Sequence, residues 1–276
     1  MKIVIVGLGI IGGSYAKAIK KYTNHTVIGI NRSEAPLKKA LQCGAIDEIG
    51  TADSLKEADL IILSAYPQAC VDFVAENADK INKQAIVTDA SGIKSWICPE
   101  MLPLAKKHGF TFIGSHPMAG KEQNGFDASE AELFKDASFI VVPCGADEKK
   151  ISVLKNLALQ IGFGCIRICS AQEHDEMISF TSQLPHVLAC AYVMSPRCPN
   201  HKGFSAGSYR DVSRVANINA PLWSELFLEN REPLINELDI LIENINNIKD
   251  AIKNADKDKL CGLLNRGRQI KEELGE

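Results

Sequence analysis

The segment that most constrains the fold lies at the N-terminus. Residues 2–6, Lys-Ile-Val-Ile-Val, are apolar and β-branched after the lysine, as in a strand buried on both faces of a parallel sheet. Gly7-Leu8-Gly9-Ile10-Ile11-Gly12 follows at once, and Tyr15-Ala16-Lys17-Ala18-Ile19-Lys20 then supplies helix formers. G-x-G-x-x-G between a strand and a helix is the dinucleotide-binding arrangement. The first glycine permits the tight turn, the second lets a pyrophosphate approach the backbone, and the third lets helix and strand pack closely. The helix N-terminus then favours the negative phosphates. Gly7, Gly9, Ile10, Ile11 and Gly12 are therefore the expected cofactor loop.

The second strand, His25-Thr26-Val27-Ile28-Gly29-Ile30, ends at Asn31-Arg32-Ser33. NAD enzymes usually place a carboxylate there for the ribose hydroxyls. Here none would repel a 2′-phosphate, and Arg32 can pair with one. The expected cofactor is NADP or NAD, with NADP favoured. The alternative is that Arg32 is a solvated charge and both cofactors are accepted.

The pattern continues as α/β. Helix is expected over 33–43, with Gly44 as its stop, then a short strand over 45–49 and a helical turn over 55–58. Further strands are expected at 59–64, 85–89, 111–113, 138–142 and 164–168, with helices at 68–80, 95–108 and 149–161. Ligands of an open parallel sheet bind at the carboxyl ends of its strands. Ser64 and Tyr66, just past one such end, are expected to border the cofactor.

After about residue 170 strand signals stop. Leu234, Leu238, Leu241, Ile245, Ile248 and Ile252 recur at alternating gaps of four and three, with Ile235 and Ile242 widening the seam. So long a stripe needs other helices, either within the chain or in a second copy. The division expected is 1–169 and 170–276. The uncharged stretch 177–195 holds Gln183, Pro185 and His186, so it reads as a buried helix rather than a membrane span.

Composition narrows the functional classes. A net charge of −3 over 276 residues offers no nucleic-acid footprint and no basic membrane face. The N-terminal apolar run is too short for a signal peptide. The nine cysteines include no Cys-x-x-Cys pair, and Cys198 with His201 lacks a second ligand pair, so scattered thiols in a reducing cytoplasm are expected and no metal site.

One polar segment stands apart. Gly114-Ser115-His116-Pro117-Met118-Ala119-Gly120 puts a histidine before a proline, which biases His116 to extended backbone on a stiff, non-helical loop. Such a histidine is either a structural turn residue or, where it faces a cofactor, a general base.

With these residues collected, the chain resembles the prephenate dehydrogenase family, which includes arogenate dehydrogenases. The resemblance spans almost the whole length. It rests on Gly7-x-Gly9-x-x-Gly12, Thr88-Asp89 with Gly92-Ile93-Lys94, and Ser115-His116-Pro117-Met118-Ala119-Gly120-x-Glu122-x-x-Gly125. His174-Asp175, Ser182-x-Leu184-Pro185-His186, Asp211-x-x-Arg214 and Trp223 complete it. It implies an α/β fold, an N-terminal Rossmann dinucleotide-binding domain with a C-terminal all-helical dimerisation domain. It implies NAD(P)-dependent oxidative decarboxylation of prephenate to 4-hydroxyphenylpyruvate on the route to tyrosine, by a homodimer. His116 would polarise the substrate's ring hydroxyl. Arg214 and His186 would contact the substrate, Arg214 through a carboxylate. Glu122, Gly207, Asp211 and Trp223 would line or support the site. From the residues alone, Arg214 could equally pair with Asp211 one helical turn away.

Two departures stand out. The family's active-site serine is shifted by one residue, because Ser91-Gly92 replaces Gly-Ser, and Ser91 is the candidate to take its place. Gln183 stands where members often have a histidine. Arogenate is the alternative substrate. A β-hydroxyacid dehydrogenase on the same architecture would need a catalytic lysine in the helical half, and none is evident. A non-catalytic redox sensor would bind cofactor without turnover.

Overall fold

The computed structural model describes residues 1–121 and 123–275. The first half alternates strand and helix: β1 (Lys2–Val6), α1 (Ile10–Tyr22), β2 (Thr26–Ile30), α2 (Glu34–Gln42), β3 (Glu48–Ile49), β4 (Leu60–Leu63), α3 (Pro67–Asn77), β5 (Ile86–Asp89), α4 (Lys94–His108) and β6 (Thr111–Pro117). After β7 (Ser138–Val142), α5 (Glu148–Gln160) and β8 (Cys165–Ile168), only helices follow. These are α6 (Ala171–Ile178), α7 (Leu184–Val193), α8 (Gly207–Ser213), α9 (Ala220–Glu229), α10 (Arg231–Lys253) and α11 (Lys257–Glu273).

The eight strands form one sheet in the order β3-β2-β1-β4-β5-β6-β7-β8. Pairing is parallel from β3 to β6, and the strand order reverses between β1 and β4, the point at which open α/β sheets bind their ligands. Pleating divides each central strand between two cores. Ile3, Ile5, Leu60 and Ile62 face one layer of helices, while Val4, Val6, Ile61 and Leu63 face the other. All eight are buried, which is why β1 and β4 read as unbroken apolar runs.

Three expectations need correction. His116 does not sit on a loop. β6 runs on past β5, and β7 joins it antiparallel, with His116 opposite Ile140 and Pro117 opposite Phe139. The extended geometry that proline imposes suits a strand as well as a loop. The strand expected over 45–49 shrinks to Glu48–Ile49, because Ala45 and Ile46 bury into the core beneath it. The stretch 177–195 is not one buried helix. A π-helical turn, Ser179–Gln183, separates α6 from α7, and Met177, Phe180 and Met194 are more than half exposed. Pro185 has no N–H to continue the α-helical ladder and its ring crowds the preceding turn, which accounts for the wider turn before it. Among the described residues no helix is long and apolar enough to cross a membrane.

The seam of α10 falls on one 23-residue helix, but within the chain it is only partly covered. Leu234 and Ala251 are buried, whereas Ile235, Ile242, Ile245 and Ile252, which share a face, remain 47–61% exposed.

Candidate active site

The glycine loop has the geometry a dinucleotide requires. Gly7 has φ +92°, and a Cβ there would lie 2.6 Å from the Ser64 carbonyl oxygen; one on Gly12 would lie 1.9 Å from the Gly7 oxygen. Neither position accepts a side chain. Gly9, at the N-cap of α1, faces open space instead, where a phosphate can reach the helix N-terminus. Ile10 and Ile11 open the helix. Asn31 braces the loop, its Oδ1 accepting from Leu8 N at 2.9 Å while its Nδ2 donates to the Ser33 carbonyl at 3.0 Å. Arg32 and Ser33 are exposed beyond β2. Two buried hydroxyls without a protein partner, Ser64 Oγ and Ser91 Oγ, stand just past the ends of the adjacent strands β4 and β5. Buried polar atoms are normally hydrogen-bonded, so this pair fits a polar ligand in the crevice. Tyr66, on the same rim, is 44% exposed and accepts through its hydroxyl from Asn219 Nδ2 of the helical half at 3.2 Å.

Beside this crevice lies a buried polar network. Asp89 ends β5 and forms a fully buried ion pair with Lys94, the first residue of α4. Its carboxylate also accepts from Ser91 N at 2.9 Å and Ser115 N at 3.1 Å. A buried ion pair is tolerable only when its remaining valences are met in this way. On the next strand, His116 Nδ1 lies 3.0 Å from His174 Nε2, and His174 Nδ1 lies 2.6 Å from Asp175 Oδ1. Asp175 is pinned at the N-terminus of α4, accepting from Lys94 N at 2.8 Å and Ser95 N at 2.7 Å.

The electrostatics keep both imidazoles neutral. Burial, then His174 and Lys94, pushes His116 well below the ordinary histidine range. Burial also lowers His174, against the opposing pull of Asp175. For Asp175 burial works upward, but His174 and the two backbone N–H groups outweigh it and hold the carboxyl below its usual value.

The helical half closes over this network. Leu226 of α9 packs on Gly92, where a Cβ would lie 3.4 Å from Leu226 Cδ2 and 4.0 Å from His116 Cε1. Position 92 thus lies beside the His116 ring. Gln183 serves structure: its Nε2 donates to the Leu226 carbonyl at 2.9 Å, and its Oε1 accepts from Asn230 Nδ2 at 2.7 Å. His186 donates from Nδ1 to the Ser182 carbonyl at 2.8 Å and stacks on Trp223, with ring centroids 3.7 Å apart. Gly207 opens α8, Asp211 lies one turn on, and Arg214 begins a short 3-10 turn that packs against α7. Glu122 lies outside the described residues.

Two halves of the chain match two models of one family: residues 15–166 its "Prephenate dehydrogenase, nucleotide-binding domain", and residues 170–266 its "Prephenate dehydrogenase, dimerization domain". The chain belongs to the prephenate dehydrogenase family. A cyclohexadienyl dehydrogenase of Zymomonas mobilis is 33% identical over 269 residues, covering 94% of this chain and 90% of its own length. A prephenate dehydrogenase of Bacillus subtilis is 30% identical, covering 99% of this chain and 76% of its own. Among solved structures, the prephenate dehydrogenase of A. aeolicus in complex with hydroxyphenyl propionate and NAD+ superposes with a TM-score of 0.87 at 25% identity, covering 99% of this chain and 98% of that one.

Within this prephenate dehydrogenase fold, sequence reasoning assigned no role to Lys94 or to His174-Asp175, although both fall in the motifs that carry the resemblance, and did not single out Leu226. A lysine at a helix start reads as a surface cation, and only the sheet's placement of Asp89 shows otherwise. The adjacent His174-Asp175 pair, at the start of the first helix after the last strand, was the signal available.

Proposed function

We propose that the protein is a prephenate dehydrogenase. It converts prephenate to 4-hydroxyphenylpyruvate and carbon dioxide with NADP or NAD as oxidant, with NADP preferred. The observation that carries this reading is His116: a half-buried imidazole, held neutral, at the carboxyl end of β6 and hydrogen-bonded to His174 of the helical half.

When bound, a nicotinamide cofactor would supply the hydride acceptor for the carbon that carries the ring hydroxyl. His116 accepts a hydrogen bond from that hydroxyl and takes its proton as the oxygen becomes carbonyl-like. A positioned base of this kind contributes roughly 10²–10⁴-fold. Loss of carbon dioxide then leaves an aromatic phenolate that takes the proton back from His116, and this aromatisation means the chain need not drive the reaction energetically. Its task is to align the ring and exclude water. Arg214 is suited to a substrate carboxylate by its planar fork. His186, held against Trp223, supplies a second polar contact, and Gly207 and Asp211 support that wall. Ser91, whose buried hydroxyl has no protein partner, donates to the substrate in place of the family's shifted serine. Glu122 is assigned to the same site on the family pattern.

Gly7, Gly9, Ile10, Ile11 and Gly12 would hold the cofactor, flanked by Ser64 and Tyr66, with Asn31, Arg32 and Ser33 toward its ribose. The absence of a carboxylate after β2 supports the NADP preference. Residues 1–169 carry the cofactor and 170–276 the substrate wall and a dimer contact through the exposed isoleucines of α10, the whole working in the cytoplasm. Purified protein given prephenate should reduce NADP with stoichiometric 4-hydroxyphenylpyruvate. Turnover with arogenate alone would replace prephenate as substrate. Cofactor binding without turnover of either would overturn the enzyme reading.

A further inference from the structure

We infer that His174 and Asp175 are positioning residues that hold His116 with its proton on Nδ1, so that Nε2 presents the lone pair to the substrate. The inference rests on the proposed dehydrogenase reaction and follows from counting protons along one line of contacts. Three N–H groups converge on the Asp175 carboxylate: Lys94 N and His174 Nδ1 on Oδ1, and Ser95 N on Oδ2. Two are backbone N–H groups at the first turn of a 15-residue helix, where negative charge is favoured. The carboxylate is therefore an acceptor on both oxygens, and His174 Nδ1 must be a donor.

A neutral imidazole has one N–H. With it on Nδ1, His174 Nε2 carries a lone pair and accepts from His116 Nδ1 across 3.0 Å. His116 Nδ1 is then the protonated nitrogen and Nε2 the basic one. The competing arrangement makes His174 a cation donating from both nitrogens, which would turn His116 around. The groups facing the pair are Asp89 and Lys94 from β5 and α4, Asp175 itself, and, further out beside Asp175, Glu229 of α9. Asp89 and Lys94 cancel as an ion pair, and burial of both rings opposes the cation. When His116 takes the substrate's proton on Nε2, its Nδ1–H stays bonded to His174, and Asp175 stabilises the new charge from the far end without a proton moving along the line.

Two measurements test this. The first is 15N NMR of histidine-labelled protein without ligands, with His116 assigned by its loss in His116→Asn. His116 Nε2 should resonate as an unprotonated nitrogen and Nδ1 as a protonated one at pH 7. A protonated Nε2 overturns the inference, and this result stands even if no variant at position 174 folds. The second compares His174→Phe, which removes the acceptor, with His174→Gln, whose amide oxygen can accept from His116 Nδ1. The Phe variant should lose about 10²-fold in kcat with cofactor KM within about twofold, and the Gln variant should recover about tenfold of that loss. Equal kcat in both variants, or an unchanged Phe variant, contradicts the inference. Failure of the unmodified protein to turn over prephenate or arogenate would instead sink the proposed reaction and leave the NMR result untouched.

Discussion

The sheet half and the helical half solve the burial problem differently. β1 and β4 are covered on both faces within the chain, by two apolar clusters that alternate along each strand. In the helical half, α9 and α11 bury no residue fully, and α10 buries only Leu234 and Ala251 of 23. One half is a finished core, and the other carries apolar surface that a monomer would leave in water. The His116 network lies where they meet: Asp89, Gly92, Lys94 and His116 come from the finished half, His174, Asp175 and Leu226 from the helical one. Catalysis should therefore depend on both halves, and cofactor binding chiefly on one.

His116→Asn separates the two tasks most sharply. kcat should fall by roughly 10²–10⁴-fold, with cofactor affinity, read by fluorescence titration, unchanged within about twofold. A parallel loss of cofactor affinity would mean that the imidazole belongs to the cofactor pocket.

Next comes Lys94→Met, which strands the Asp89 carboxylate in the finished core. Removing one partner of a buried ion pair costs about 3–5 kcal/mol, so the denaturant midpoint should drop steeply. An unchanged midpoint would show that the pair is not isolated from water as drawn. Ile242→Glu with Ile245→Glu addresses the unfinished half. Losing the burial of two isoleucines per protomer should weaken a dimer by at least about 10²-fold in sedimentation equilibrium, while cofactor binding persists. A double variant that sediments as the parent does would place the dimer contact elsewhere.

Arg32→Ala should raise the KM for NADP about tenfold or more and leave that for NAD nearly unchanged, because a charge-assisted contact to the 2′-phosphate is lost. Equal effects on both would make Arg32 a solvated charge. The smallest change concerns Glu229, where the halves join. Burial, then Glu225 and Asp175, raises its carboxyl to about 7, and its Oε2 has no hydrogen-bond partner. A raised carboxyl contributes its stability below the unfolded value near 4.5 and loses it as pH rises through 7. Glu229→Gln should thus raise Tm by a few degrees at pH 8 and scarcely at pH 5. The opposite pH order would show the carboxylate to be favourably paired.

The sequence made the finished half readable for a physical reason. Strands buried on both faces are unbroken apolar runs, and the glycine positions are dictated by backbone contacts as close as 1.9 Å. What escaped depended on partners distant in the chain. The continuation of β6 through His116 needs β7, more than twenty residues on, to accept it antiparallel. Lys94 is buried only because β5 delivers Asp89 to it. The turn at Ser179–Gln183 reflects Pro185, a residue compatible with several local structures. Among the candidate site residues, the glycine loop followed from local context and His116 only from the family resemblance, whereas Ser91 illustrates the limit. One transposed residue puts glycine at position 92, beside the His116 ring and under Leu226, a neighbourhood that only the packing of the two halves reveals.

A crystal structure with NADP and 4-hydroxyphenylpyruvate bound would test the joint site most directly. The product's ring oxygen should lie within hydrogen-bond distance of His116 Nε2, with its side-chain carboxylate held by Arg214 or His186 of the helical half. A product bound wholly within one half, with His116 out of reach of its ring oxygen, would contradict the account.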